Sequence, residues 1–426
     1  MKPKTLLAML GPGILVAATG VGAGDLATAT LTGSTLGLTI LWAALLGAFL
    51  KFVLNEGLTR WQLATGSTLL EGCVERLGRP VQWIFLAYLL AWSFFVAAAL
   101  MGAVGVTCHA MVPITGTGLD AAGKDKIIYG VLHSLLAVAL VQYGGYGLFE
   151  KVMSVCIVLM FGIVALTAVV LRPPLGEVVR GLCVPTIPPG GASWTVALIG
   201  GVGGTVTVLC YGYWIREKGR TSTDDLATCR IDLASGYLMT AVFGLAMVII
   251  GNSLGKLPGS GATLIVEMAN KLEATLGGAG AAARWAFLAG AWGAVFSSLL
   301  GVWQSIPYLF ADLWRMMQSG RPHHEKVDTN SLAYRGYLYT IAVVPLAGMI
   351  LVDFRAMQKS YAIVGALFVP MLAVVLLALN GRAAWVGQRY KNSWATTLIL
   401  VATMLFFAYA GAIELYDTLF APPGSG

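Results

Sequence analysis

Charge is what this sequence lacks. Of its 426 residues only 11% are Asp, Glu, Lys or Arg, against roughly 25% in soluble domains, and 58% are hydrophobic. A water-soluble surface cannot be built from that composition. Long polar stretches are missing too, so no gap between the apolar runs has room for a soluble domain. There is no phosphate-cradling GxxxxGK(S/T) loop, no HExxH and no nucleophile elbow, which leaves ATP-driven transport and enzymatic chemistry without support and calls for no cofactor. The six cysteines, Cys73, Cys108, Cys156, Cys183, Cys210 and Cys229, form no CxxC pair; they read as buried free thiols rather than a disulfide framework.

What is present is a series of apolar runs near or beyond the ~20 residues a helix needs to cross a bilayer. The first covers about Leu7 to Leu31, the second Leu36 to Ala64 and the third Val81 to Ala110. After a loop holding Asp120, Lys124, Asp125 and Lys126 come Ile127 to Val141 and Leu148 to Leu171, then a connection rich in proline (Pro173, Pro174, Pro185, Pro188, Pro189). The sixth to eighth runs are Trp194 to Trp214, Leu233 to Gly251 and Trp285 to Leu309; the last three are Tyr337 to Val352, Tyr361 to Leu379 and Trp394 to Ile413. Thr263 to Thr275 suits a short helix outside the membrane. Eleven spans make this an all-α polytopic membrane protein.

A net charge of +7 does not point to nucleic acid, because the basic residues lie between apolar runs with no aromatic-interleaved patch. They are topology signals instead. With the N-terminus in the cytoplasm that side collects about 16 Lys and Arg and the other about 9, so the positive-inside rule puts the N-terminus inside and the C-terminus outside. Lys2 and Lys4 before an apolar run imitate a secretory signal, but the run continues into further apolar sequence and reads as a retained first helix. A bacterial plasma membrane and a monomer with the lipid bilayer as its partner are the expectations.

Two runs carry interruptions that a membrane helix rarely tolerates. Thr19 to Asp25 reads Thr-Gly-Val-Gly-Ala-Gly-Asp: three glycines weaken the helix, and a carboxylate follows at mid-depth, where a charge costs about 2.5–3.5 kcal/mol. The sixth run has Gly200-Gly201-Val202-Gly203-Gly204, then Thr205, Val206 and Thr207. Backbone freed by unwinding has to be buried in protein or line a wet cavity. Breaks in spans one and six, five spans apart, are what an inverted five-helix repeat predicts, with the substrate at the repeat interface; the repeats would cover about 7–171 and 194–379, with 394–413 as an extra helix and 1–426 as one domain. Glycine clusters also serve close helix packing, although Asp25 has no packing rationale.

The first run, GPGILVAATGVGAGDLATATLTGS from Gly11 to Ser34, resembles the first helix of the NRAMP divalent-metal transporters, whose pattern ends in DPGN-x-A-T and a later G-S. Gly11, Pro12, Leu15, Val16, Gly24, Ala27, Thr28, Gly33 and Ser34 carry the match, with Ala64-Thr65-Gly66, Ser297-Ser298 and Gln304 in support. The resemblance implies a LeuT-type fold of two inverted five-helix repeats plus an eleventh helix, and secondary transport of a divalent metal ion. At the positions the family uses for metal and protons the chain departs from it. Gly22 stands for the family's Asp, Ala23 for its Pro and Asp25 for its Asn; Thr207, Val208 and Leu209 stand for Met-Pro-His, Gly204 for the carbonyl ligand before the Met, and Phe368 for a helix-ten Gln.

The implied substrate and metal ligands are therefore Asp25, Thr207 and the carbonyls of Gly22 and Gly204, with Thr28 as a further substrate contact. Without the thioether such a set suits a hard ion such as Mg²⁺ or Mn²⁺. The third run contains no Asp or Glu and the helix-six His is gone, so strict proton coupling is not expected; His109, near the end of that run, reads as interfacial. Glu56 and Arg60, an i,i+4 pair on the second run near Lys51, are either a packing lock or a gate. His323 and His324 read as solvated loop residues. A small organic amine or amino acid on the same scaffold is the alternative substrate, and a non-transporting membrane sensor the alternative role.

Overall fold

A computed structural model of the chain describes residues 11–420 apart from 117, 202, 256–261, 321–325, 353–356, 358, 359, 362, 363 and 366; for residues 23–25, 119, 262, 263 and 413–420 it describes the backbone only. Span one is two half-helices, α1 (Pro12–Gly20) and α2 (Ala23–Leu36), and span two is α3 (Leu41–Thr65). A short α4 (Leu69–Leu77) precedes span three, α5 (Pro80–Met111). Spans four and five are the arms of α6 (Leu119–Val170), bent where Gly145 takes φ 60°. Beyond a short α7 (Leu175–Cys183), span six is again two pieces, α8 (Ala192–Gly201) and α9 (Cys210–Glu217). Span seven is α10 (Leu226–Leu254), followed by α11 (Ala262–Thr275) and span eight, α12 (Gly280–Ser319). Span nine is α13 (Leu332–Val343) with α14 (Pro345–Leu351), span ten contains α15 (Phe368–Asn380), and after α16 (Ala383–Val386) span eleven is α17 (Trp394–Phe420).

Among the described residues eight helices are long and apolar enough to cross a bilayer. The number reaches eleven because Leu26–Thr65 and Asp120–Val170 each hold two spans and Phe368–Asn380 is a shorter apolar helix. Local chemistry sets several ends. Pro80 opens α5 at the first turn, where its missing N–H costs nothing, and Gly66, at φ 78°, closes α3 in the left-handed conformation. Thr68 and Glu71 form a capping box that starts α4.

At spans four and eight the differences from the expected boundaries share one cause: charged residues that look like loop are paired inside helices. Span four starts at Leu119, not Ile127, because Asp125 accepts the N–H groups of Ile114 (2.8 Å) and Thr115 (3.0 Å) and meets His109 at 2.7 Å. Span eight runs on to Ser319 because Asp312 accepts the Tyr213 hydroxyl (2.7 Å) and pairs with Arg315 (3.2 Å). The helix expected at Thr263 to Thr275 is α11; α4 and α7 are additions. The cysteines are all free as expected, but Cys183 is exposed, not buried, at the end of α7. Residues His323 and His324 lie outside the described residues.

At the Gly11 end of the bundle, ion pairs join the spans. Asp232 of α10 accepts the Gly11 N–H (3.0 Å) and the Tyr211 hydroxyl (3.1 Å) and pairs with Arg220 (2.9 Å). Glu71 pairs with Arg216 (2.9 Å), and Glu56 with both Arg60 (3.2 Å) and Arg230 (2.6 Å). Arg60 also donates to the carbonyls of Tyr390 and Lys391 and to Asn392.

Span one lies on span seven through paired glycines. A Cβ on Gly13 would sit 2.1 Å from the Asp232 carbonyl oxygen, and one on Gly236 would sit 2.2 Å from that of Gly13. At the other end, a Cβ on Gly33 would sit 2.1 Å from the Val248 carbonyl oxygen, and one on Gly251 would sit 2.1 Å from that of Thr30. Backbones this close admit no side chain between them. Gly236→Ala and Gly251→Ala are each expected to cost about 1–3 kcal/mol through forced backbone shifts, read as a lower unfolding temperature of the detergent-solubilised protein; an unchanged temperature would refute the close crossing.

Candidate substrate site at the two helix breaks

The interruptions in spans one and six touch each other. α1 stops at Gly20 and α2 starts at Ala23; α8 stops at Gly201 and the chain re-enters span six through a 3₁₀ turn, Val206–Leu209. Gly203 and Gly204 take φ 94° and 79°, values that L side chains rarely adopt. A Cβ on Gly20 would lie 2.8 Å from the Gly203 carbonyl carbon, and one on Gly204 would lie 3.1 Å from the Gly20 Cα. Close contact thus demands glycine at the break in span one, and conformation demands it at the break in span six.

Between the breaks lies a cavity of about 20 Å³, room for a single water-sized occupant. Thr19, Gly20 and Gly22 line it from span one, Gly204, Thr205 and Thr207 from span six, Ser298 and Val302 from span eight, Trp92 and Leu100 from span three, and Tyr361 from span ten. Span eight satisfies the carbonyls freed at the end of α1: Ser298 Oγ donates to the Thr19 carbonyl (2.8 Å) and Ser297 Oγ to that of Ala18 (3.1 Å). Thr19 Oγ1, Thr205 Oγ1 and Trp92 Nε1 are buried without a hydrogen-bond partner among the described residues. Each such group costs roughly 1–3 kcal/mol if left so, and three of them around one cavity call for a polar occupant.

On the far side of the break in span six stands Lys51 of α3, 1% exposed. Its Nζ donates to the carbonyls of Gly200 (3.1 Å) and Gly204.

Of the residues expected to bind substrate, Gly22, Gly204 and Thr207 come together at this cavity. Thr28 does not line it; it lies farther along α2, where its carbonyl accepts the Thr32 hydroxyl. Asp25 belongs to the first turn of α2, and its side chain lies outside the described residues. The two carbonyls expected as ligands have protein partners: that of Gly22 accepts the Leu26 N–H (3.0 Å) and that of Gly204 the Lys51 amine. Glu56 and Arg60 belong to the ion-paired end of the bundle and not to the cavity. Phe368 stacks on Tyr88, ring centres 6.4 Å apart. Among the described residues no three His, Cys, Asp or Glu side chains gather as metal ligands.

Thr19, Trp92, Thr205 and the partner of Lys51 were not singled out from the sequence. A lysine in the middle of an apolar run was the one available signal. His133 was also missed, and it is fully engaged: Trp292 Nε1 donates to its Nε2 (3.1 Å), and its Nδ1 lies 2.8 Å from the Tyr129 carbonyl, which only accepts. Those partners fix the neutral tautomer.

Two broken spans facing each other across a small polar cavity define a helical membrane transporter scaffold of the LeuT type. Solved structures agree. The manganese transporter of Eremococcus coleocola superposes with a TM-score of 0.74 over 99% of this chain and 90% of that one at 18% identity, and MhsT in complex with L-phenylalanine with 0.60 over 96% and 98% at 16%; at such identities the likeness is one of fold. Within that class, the model of the natural resistance-associated macrophage protein-like (Nramp) family matches residues 13–417, and the chain belongs to this family. The divalent metal cation transporter MntH of Yersinia enterocolitica is 23% identical over 280 residues, 65% of this chain and 66% of that protein. The MntH of Brucella suis is 30% identical over 209 residues, 48% and 43% of the two chains. The aligned stretch is thus less than two thirds of either relative's length.

A Cβ at Gly22 would lie 2.8 Å from Ser298 Oγ, so any side chain there turns the hydroxyl away from the Thr19 carbonyl. Gly22→Ala is expected to lower stability by about 1–3 kcal/mol, and adding Ser298→Ala should cost less than the two changes measured apart. Additive losses in a double-mutant cycle would argue against the contact.

Proposed function

We propose that this chain is a secondary transporter or facilitator of a divalent metal cation, with its substrate held between the broken spans one and six. One observation carries the reading: a cavity large enough for one small occupant, bounded by both breaks and by three buried polar groups that lack partners among the described residues. Membership of the Nramp family and the printed names of the MntH relatives support a divalent cation. Asp25, one turn beyond Gly22, supplies the negative charge, Thr207 a hydroxyl, and the negative end of α1 partial charge.

The ion is a hard one, Mg²⁺ or Mn²⁺, because the position aligned with the family's Met is Thr207 and hydroxyl and carboxylate oxygens suit such ions. Transport carries no fixed number of protons: span three lacks acids, and both nitrogens of His133 are committed to neighbours. An organic amine remains the second reading, since Trp92 and Tyr361 line the cavity and aromatic faces attract ammonium groups. The volume of about 20 Å³ favours the metal.

Uptake into proteoliposomes by a panel of Mn²⁺, Mg²⁺, Cd²⁺, methylammonium and amino acids tests the reading. Uptake of Mn²⁺ or Mg²⁺, with Cd²⁺ no better and no stoichiometric acidification of the lumen, is expected; transport confined to the amines would overturn it. Asp25→Asn, which keeps the capping ability of the side chain but not its charge, is expected to fold normally and to lower cation uptake at least tenfold.

With the N-terminus inside, the connection between spans five and six lies outside. Cys183 is the exposed thiol there, while the other five cysteines are buried. A membrane-impermeant maleimide added to intact cells is expected to label the wild-type chain and not Cys183→Ser; labelling only after lysis would reverse the topology.

A further inference from the structure

Lys51 interrupts the run Leu-Gly-Ala-Phe-Leu-Lys-Phe-Val-Leu in the middle of α3. A charge at that depth is expensive and persists where it does something. A glycine one turn away brings it to the end of α8. Gly47, one turn earlier on the same face, lets the α3 backbone reach the last turn of α8: a Cβ there would lie 2.7 Å from the Ile199 carbonyl oxygen. The amine of Lys51 then donates to the carbonyls of Gly200 and Gly204. These belong to the break in span six, where α8 stops at Gly201 and its last carbonyls have no helical partner. They carry the negative end of the half-helix dipole. Backbone carbonyls gathered in this way form a cradle for a cation, as they do wherever carbonyl oxygens replace the hydration shell of an alkali metal ion.

We propose that Lys51 is a tethered cation, whose ammonium fills a carbonyl cradle at the end of α8 that would otherwise bind an alkali metal ion, and that it thereby withdraws the Gly204 carbonyl from the coordination of the transported ion. The inference rests on the reading of this break as a cation-holding region. It has two consequences. The break in span six is held together without any dissolved monovalent ion, so the wild-type chain is indifferent to Na⁺ and K⁺. The transported ion is then left to the hydroxyl-lined side of the cavity, where Thr19, Thr205, Thr207 and Ser298 stand. Conversely, removing the ammonium exposes two hard oxygen donors and a space the size of the lost group, which is the recipe for an alkali-ion site.

The test is thermal unfolding of the full purified chain in detergent, with N-methylglucamine chloride replaced stepwise by NaCl or KCl at constant ionic strength. Wild type is expected to give one unfolding temperature throughout. Lys51→Met and Lys51→Gln are expected to unfold several degrees lower in N-methylglucamine and to recover most of the loss, saturably, as Na⁺ or K⁺ binds the folded form. Two variants are used so that at least one remains measurable. Behaviour of both that is the same in every chloride, folded or not, overturns the proposal, as does a saturable alkali response of wild type. Mn²⁺ binding by wild type is measured separately by calorimetry in the same buffers. Its absence beside an intact alkali response of the variants would count against the transport reading alone, and the reverse pattern against the tethered cation alone.

Discussion

Backbone groups set free inside a bilayer must find partners within the protein, and this one constraint organises the molecule. Spans one and six both give up their helical hydrogen bonds at mid-depth. The carbonyls released at Ala18 and Thr19 are taken by the hydroxyls of Ser297 and Ser298, and those released at Gly200 and Gly204 by Lys51. Span eight and span two are therefore the fixed supports of the two breaks. Three groups that this arrangement leaves over, on Thr19, Trp92 and Thr205, surround the space where a substrate would complete the set. Of the carbonyl ligands that family resemblance suggested, that of Gly22 already accepts the Leu26 N–H and that of Gly204 the Lys51 amine.

The rest of the packing keeps the breaks in register. Glycines on spans one and seven bring the two backbones into contact at both ends of span one, so each half-helix is gripped separately. At the Gly11 end a lattice of buried ion pairs ties the start of span one to span seven and span six. Breaking a buried pair by removing one partner is costly, about 3–5 kcal/mol. Glu56 and Arg60, which admitted a gating or a packing role, sit in this lattice with Arg230 and the Asn392 segment, a placement that explains why an intramembrane ion pair is tolerated there.

Much of this was legible from residue types. The eleven spans followed from apolar runs, and both breaks from glycines set beside Asp25 and Thr207, because those residues violate what a membrane helix needs. What could not be read were partnerships across long stretches of chain. Asp312 and Arg315 looked like the end of span eight, yet Tyr213 and each other make them acceptable inside a helix that continues to Ser319. Lys51 was visible as an anomaly, but its partners lie about 150 residues away at backbone atoms, which carry no sequence signature. Thr28 belonged to the motif carrying the resemblance, yet it sits too far along α2 to line the cavity. The helix α4 was not read from the sequence: it is too short for hydrophobic periodicity to reveal, and its local signal is the T-x-x-E capping box at Thr68.

The most direct measurement is crystallographic: anomalous scattering from Mn²⁺ soaked into crystals of the full chain. A single peak between Thr19, Thr205, Thr207 and Ser298, with Lys51 still on the carbonyls of Gly200 and Gly204, is the predicted result. A peak bound through the Gly204 carbonyl with Lys51 displaced, or one remote from both breaks, would contradict the account.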